Sequence, residues 1–173
     1  MADDLLSGFD EAHPEPGLPP QFLEDGLLEG YLASPPTEGE VREVRERSPH
    51  LDPANWAMPA RPLPPSYKAF LARSNGGTFV TGDREFQMLR AEELREYLFL
   101  YEWPETMPGA VPFALDGGGG FYLFDMSEPA DAAGEYPVLW ANGGSLTFDD
   151  TVYLGWSLAD VLRDGRRPDV NRG

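Results

Sequence analysis

The 173-residue chain contains no cysteine. This absence excludes disulfide bonds, zinc sites built on thiolates and a cysteine nucleophile, and it agrees with a reducing compartment. A chain of this length buries about two-thirds of its unfolded surface, so packing alone can stabilise it. We therefore expect a cytoplasmic protein held together by its core.

Long apolar runs are also missing. No stretch approaches the ~20 apolar residues that a membrane-spanning helix needs. The first residues, Met1-Ala-Asp-Asp4, are acidic where a secretory signal would be basic. The sequence therefore predicts neither a membrane span nor a signal peptide.

Positive charge is scarce. Thirteen Lys and Arg face thirty Asp and Glu, which gives a net charge of -17, and Lys68 is the only lysine. Nucleic acids and anionic membranes bind clusters of Lys and Arg, so both are excluded as expected partners. The charge suits a basic protein partner, or it serves solubility alone.

Residues for catalysis are few. The only histidines, His13 and His50, lie in proline-bounded stretches without partners at metal-ligand spacing. No serine stands in a G-x-S-x-G motif. The chain is therefore predicted not to be an enzyme and to need no metal or cofactor.

Carboxylates nevertheless cluster in the second half of the chain. Two of them could act as an acid–base pair or bind calcium, which leaves a hydrolase as an alternative, whereas the simpler interpretation is a solvated acidic loop. The cluster comprises Asp116, Asp125, Glu128, Asp131 and Glu135.

The segment Leu63–Gly77, read as LPPSYKAFLARSNGG, is the clearest structural signal. Two prolines suit a helix start, and Tyr67, Phe70 and Leu71 at i, i+3, i+4 form one apolar face. Asn75 or Gly76 can adopt the left-handed conformation that ends a helix. We expect a core-anchored helix followed by a strand over Gly77–Thr81.

Shorter patterns fill the rest of the chain. Met1–Gly17 is predicted to be mobile, Gln21–Ala33 to form one amphipathic helix, and Glu38–Arg47 to form a helix with a Thr37/Glu40 capping box. Helices are also expected at Arg90–Trp103 and Gly155–Gly165. The expected strands are Glu85–Leu89, Val111–Leu115, Phe121–Met126, Pro137–Ala141, Ser145–Phe148 and Thr151–Leu154.

This order of elements predicts an α+β fold, with a mixed or antiparallel sheet of short strands and helices packed on it. The glycine run Gly117–Gly120 is interpreted as a hairpin turn, because a strand follows it and the Lys-Ser/Thr of a phosphate loop is absent. Three parts are expected: an acidic, partly disordered extension over 1–36, a domain over 37–165 and a polar tail over 166–173.

Several motifs in order resemble the SUKH superfamily, the SMI1/KNR4-like proteins, over roughly residues 37–165. They are the helix and turn of Leu63–Gly77, then VPFALDGGGGFYLFD, YPVLWA and GWSLADVLRDG. Relatives often carry an acidic residue just before the aromatic of the second strand, where this chain has Gly120. The resemblance implies an α+β domain that binds proteins, in bacteria as an immunity protein that occludes a toxin, often a nuclease.

A rigid acidic surface would complement the basic site of such a toxin. The expected partner-binding residues are Asp125, Glu128, Asp131, Glu135, Asp149 and Asp150. Trp103 or Trp140 could anchor the partner, although Trp140 also suits the core. The alternatives are a regulatory scaffold that recruits proteins through acidic ends, and, for the Phe22–Leu32 helix, a homodimer contact, an element docked on its own domain or a binding arm.

Overall fold

The computed structural model describes residues 5–163, and seven strands form one sheet in chain order, each antiparallel to its neighbours. The fold is therefore the expected α+β arrangement, and the sheet is antiparallel. The strands are β1 (Glu11–His13), β2 (Gly77–Thr81), β3 (Arg84–Met88), β4 (Ala110–Leu115), β5 (Gly120–Asp125), β6 (Val138–Asn142) and β7 (Val152–Gly155).

Seven helices accompany the sheet in the described part of the chain. They are α1 (Pro20–Glu24), α2 (Leu27–Ala33), α3 (Glu38–Arg47), α4 (Pro65–Arg73), α5 (Ala91–Leu100), α6 (Trp103–Thr106) and α7 (Leu158–Arg163). None of the helices within residues 5–163 is long and apolar enough to cross a membrane.

Both faces of the sheet are covered, because successive residues of a strand point to opposite sides. On β5, the Phe121 ring lies 5.3 Å from Trp103 of α6 and 4.8 Å from Tyr101, which follows α5. Phe124 points to the other side, where its ring lies 5.1 Å from Tyr67 of α4. The core thus consists of two aromatic layers separated by the sheet.

Helix α4 confirms the local pattern from which it was predicted. Pro65 occupies its first turn, and Tyr67, Phe70 and Leu71 are fully buried. Gly76 and Gly77 adopt positive φ angles of 104° and 95° directly after the helix. Two glycines therefore turn the chain from α4 into β2.

The N-terminal segment differs from its expected mobility. Residues Glu11–His13 pair with β2, from Glu11 opposite Val80 to His13 opposite Thr78. Close approach requires glycine at position 77, where a Cβ would lie 2.6 Å from the His13 carbonyl oxygen. With three residues, Glu-Ala-His, β1 is too short and polar to show a strand pattern in the sequence. It is a strand because it pairs with β2.

The single helix predicted over Gln21–Ala33 is two helices. Gly26 adopts a φ of 67° and separates α1 from α2. Leu23, Leu28 and Leu32 are buried in the core. These leucines dock the segment on its own domain, while a homodimer contact or a binding arm formed by its exposed side chains stays a prediction.

Helix α3 begins as predicted. Thr37 Oγ1 accepts a hydrogen bond from the Glu40 amide at 3.2 Å, and a Glu40 oxygen accepts one from the Thr37 amide at 2.9 Å. Glu40 also binds Arg95 of α5 through two hydrogen bonds of 2.8 Å. One carboxylate therefore caps α3 and attaches it to α5.

Glu40 should make stability depend on pH. Hydrogen bonds from Arg95 hold its pKa below the ordinary value of 4.5, against the opposing effect of partial burial. A carboxyl with a lowered pKa stabilises the fold above its unfolded pKa and loses that contribution as pH falls through the folded pKa. In urea unfolding, we expect the stability difference between the parent and Glu40→Gln to shrink as pH falls from about 6 to about 3. A constant difference would contradict this role of Glu40.

The segment Ser145–Phe148 is not a strand, so that prediction was wrong. It leads into a short 3-10 helix over Phe148–Asp150. The Asp150 carboxylate accepts hydrogen bonds from the hydroxyls of Ser145 and Thr147, which favours a local turn over pairing. The predicted helix end at Gly165 and the tail from Arg166 lie outside the described residues, and the division of the chain at residues 36 and 165 stays a prediction.

Candidate functional site

One continuous stretch of the chain, residues 96–162, contains no lysine, arginine or histidine. It forms the second half of α5, all of α6 and the four strands β4 to β7. Its eleven carboxylates are Glu96, Glu102, Glu105, Asp116, Asp125, Glu128, Asp131, Glu135, Asp149, Asp150 and Asp160. Three arginines from elsewhere donate to its carbonyl oxygens: Arg47 to Phe99 at 2.9 Å, Arg61 to Met126 at 3.1 Å and Arg84 to Val161 at 3.0 Å.

The end of β5 and the loop from β5 to β6 hold four of the predicted partner-binding carboxylates, Asp125 on the strand and the other three in the loop. Asp125 accepts hydrogen bonds from the amide and hydroxyl of Ser127, and Asp131 accepts from the amides of Ala133 and Glu135 at 2.9 Å. Glu128 is exposed. These short-range bonds fix the loop while Glu128 and Asp131 face solvent.

Glu135 is placed differently from its predicted role. It is only 8% exposed, and its carboxylate accepts hydrogen bonds from the amide (3.0 Å) and the hydroxyl of Ser66. Ser66 lies in the first turn of α4, where Pro64 offers no capping side chain. Glu135 therefore caps α4 from a distant loop and is not available to a partner, because its burial and its bonds engage it internally.

Loss of this cap should be measurable. We expect Glu135→Ala to lower the free energy of unfolding by about 1–2 kcal/mol, the range for removing a helix cap. Glu128→Ala removes an exposed carboxylate from the same loop and should change stability by less than about 0.5 kcal/mol. Equal effects of the two variants in urea unfolding would contradict the capping role.

The remaining predicted residues, Asp149 and Asp150, lie at the other end of the sheet. They precede β7, while the Asp125–Glu135 loop lies where β7 ends, because Val138 pairs with Gly155 and Trp140 with Val152. Five residues of β6 separate the two ends, which is roughly 17 Å at 3.3 Å per residue. The structure thus does not join the six carboxylates into one cluster.

The edge strand β7 lies between these two acidic groups. It pairs with β6, and no other segment of residues 5–163 pairs with it. Tyr153 on β7 is 60% exposed, and Trp156 directly after it is 42% exposed. The sequence analysis did not identify these two exposed aromatic residues. The alternation of apolar and polar residues predicts a strand but not which strand lies at the edge of the sheet.

Neither tryptophan considered as a partner anchor is exposed, and for Trp140 the structure agrees with the alternative that it suits the core. Trp103 is fully buried against Phe121, and Trp140 is 6% exposed. Trp140 Nε1 donates to Asp116 Oδ2 at 2.8 Å, and Asp116 Oδ1 accepts from the amides of Gly118 and Gly120. Burial would raise the pKa of Asp116, but these hydrogen bonds outweigh it and lower the pKa. Trp103 and Trp140 are therefore core residues, and Asp116 organises the glycine turn.

A second apolar surface lies on the N-terminal helices. Phe22, Leu27 and Tyr31 remain exposed although their neighbours are buried. They line a groove of about 690 Å³ together with Leu18 and Leu28. This groove lies outside the cation-free stretch.

The candidate metal ligands in the described part of the chain are histidine, aspartate and glutamate side chains, since cysteine is absent. Within residues 5–163 no group of three or more His, Asp or Glu side chains could hold a metal ion. His13 lies on β1 rather than in a poorly ordered stretch, and His50 lies in the loop after α3. The arrangement offers an acidic, aromatic-bearing surface.

A protein-family model matches most of the sheet and its helices. The model of the SMI1 / KNR4 family (SUKH-1) matches residues 52–164, which is 113 of the 173 residues. The matched part begins after α3 and includes β2 to β7 with α4 to α7. A search of curated proteins found no match.

Proposed function

The chain belongs to the SMI1/KNR4 family (SUKH-1), and from this premise we propose that it is a non-enzymatic protein-binding module, a bacterial immunity protein that neutralises a basic toxin. The mechanism is occlusion: the acidic surface covers the toxin's site, and no covalent bond changes. A nuclease toxin fits this mechanism because a site that holds phosphates is itself basic.

The observation that supports this function is the cation-free stretch. Its carboxylates lie along one half of the sheet, where few positive charges offset them. A surface with one sign of charge accelerates encounter with a partner of opposite sign by about 10- to 1,000-fold at low salt. The proposed contact residues are Asp125, Glu128, Asp131, Asp149 and Asp150.

Capture of the partner tests this function. The tagged chain is exposed to lysate of its source cells and washed at about 0.05 M and then about 0.5 M salt, because salt screens contacts between exposed charges. We expect one basic protein to be retained at low salt and released at high salt. Its toxic or nuclease activity should then fall to background when this chain is added in equal amount.

Retention of nothing, or of acidic proteins regardless of salt, would contradict the proposal. A captured basic protein whose activity does not change on addition of this chain would also contradict neutralisation.

A regulatory scaffold is the second candidate, and the groove on α1 and α2 favours it. An exposed apolar groove is typical of sites that recruit other proteins. Partner proteins that stay bound to the parent chain at high salt, but do not bind the Leu27→Ser variant, would indicate this function instead.

A further inference from the structure

The sheet has two edges, and they differ in chemistry. At β1, the exposed residues Glu11 and His13 are polar, and Pro14 follows directly. Charged residues and proline are the usual protection of an edge against further pairing. At β7 neither protection is present within the strand, whose sequence is Val-Tyr-Leu-Gly.

The β7 edge also carries anchors. Tyr153 and Trp156 are exposed, and tyrosine and tryptophan are enriched among residues that dominate binding energy. Tyr153 lies opposite Leu139 of β6, so its exposed ring stands beside a buried leucine of the neighbouring strand.

The chain itself leads away from this edge. After Trp156, α7 crosses to the face that carries α4, and the Arg84 guanidinium of β3 donates to the Val161 carbonyl oxygen at 3.0 Å. Arg163, at the end of α7, lines a cavity with Leu5, Phe9 and Thr81, near the opposite edge. Within residues 5–163, α7 contacts the end of β7, where a Cβ on Gly155 would lie 3.2 Å from Val161 Cγ2, but no further strand pairs with its outer edge.

Charge indicates the kind of occupant. Asp149 and Asp150 stand before β7, and the loop with Asp125, Glu128 and Asp131 stands where it ends. A strand of about five residues would span the distance between them at ~3.3 Å per residue. Such a strand would neutralise both acidic groups if it carried cations at its two ends, with apolar side chains between them.

We propose that β7 takes up an extended segment of the partner as an eighth strand, with arginines or lysines at both ends of that segment. Backbone hydrogen bonds to the free edge supply affinity, Tyr153 and Trp156 contact its apolar residues, and the two acidic groups fix its register. This inference rests on the proposed function and specifies how the basic partner docks.

The test uses two capped nine-residue peptides with paired arginines at each end and alternating valine and threonine between them. One peptide is unmodified, and the other carries N-methyl groups on every valine and threonine, which remove the backbone N–H donors of these residues but keep the charge of the peptide. Binding is followed by amide exchange and by amide NMR shifts. We expect the unmodified peptide to bind and to slow exchange at residues 152–155 at least tenfold, and the methylated peptide to do neither.

Side-chain variants complete the test. Tyr153→Ser with Trp156→Ser should weaken binding of the unmodified peptide at least tenfold, while Leu100→Ser, at an exposed leucine on α5, should leave it unchanged. Equal binding of the two peptides, protection at residues 11–13 instead of 152–155, or no binding of either peptide would each overturn the eighth strand. The proposed function fails by a different result, namely when no basic protein is captured and neutralised.

Discussion

Replacing Arg95 with methionine is expected to lower the free energy of unfolding by about 3 kcal/mol. Arg95 is 4% exposed, and its guanidinium donates to Glu40 and to the carbonyl oxygens of Tyr31, Ser34 and Pro35. Breaking a buried ion pair by removing one partner costs about 3–5 kcal/mol, because the other charge stays uncompensated. The lower end applies here, since the Glu40 side chain keeps 25% of its exposure.

A matched control and a double variant test whether the loss in Arg95→Met comes from the ion pair with Glu40. Arg42→Met removes an exposed arginine from α3 and should change stability by less than about 0.5 kcal/mol. Adding Glu40→Gln to Arg95→Met should restore part of the loss, because the uncompensated charge is removed. In urea unfolding, a loss below about 1 kcal/mol for Arg95→Met would show that α2 and α3 do not depend on this arginine.

The second large effect is expected at Gly120. A Cβ at this position would lie 2.3 Å from Trp140 Nε1 and 2.5 Å from Asp116 Oδ2. Alanine must therefore push the buried indole aside and separate it from Asp116, which combines overpacking with a lost hydrogen bond. We expect Gly120→Ala to lower the free energy of unfolding by about 2–4 kcal/mol.

Gly118 provides the control from the same turn. Its nearest contact to an added Cβ is Asp116 Oδ1 at 3.7 Å, an ordinary distance. Gly118→Ala should be neutral within about 0.5 kcal/mol. If the two alanine variants unfold at the same denaturant concentration, the close approach of Trp140 to Gly120 is not the reason for glycine there.

Local signals in the sequence predicted much of the fold. Helix α4 follows from its prolines and the spacing of Tyr67, Phe70 and Leu71, and the start of α3 follows from Thr37 and Glu40. Each of these signals involves residues within one or two helical turns. They can be interpreted without knowing what the element packs against.

The features that the sequence did not predict depend on contacts between residues far apart in the chain. Strand β1 exists because β2 offers it a free edge. Its Ala12 lies opposite Phe79, which is 67 residues later in the chain. Glu135 is buried because Ser66, 69 residues earlier, needs a cap. No local pattern carries this information.

The candidate surface was predicted in part. The acidic loops were identified from composition, but their placement at two ends of the sheet and the exposed edge between them required the strand order. One sequence signal could have sharpened the prediction. The absence of Lys, Arg and His between residues 96 and 162 marks the same half of the sheet.

The central claim is that the carboxylates beside β7, and not the net charge alone, attract a basic partner. Two variants with equal charge separate these causes, since each replaces five exposed or half-buried carboxylates by amides and changes the net charge from -17 to -12. The test variant carries Asp125→Asn, Glu128→Gln, Asp131→Asn, Asp149→Asn and Asp150→Asn. The control variant carries Glu24→Gln, Asp25→Asn, Glu38→Gln, Glu43→Gln and Glu46→Gln.

The measurement is the association rate constant of each variant with the captured basic protein at low salt, by stopped-flow fluorescence. We predict that the test variant associates about 10- to 100-fold more slowly than the parent, and that the control stays within about threefold, because local charges steer encounter more strongly than distant ones. Equal slowing of both variants, or none in the test variant, would contradict the account.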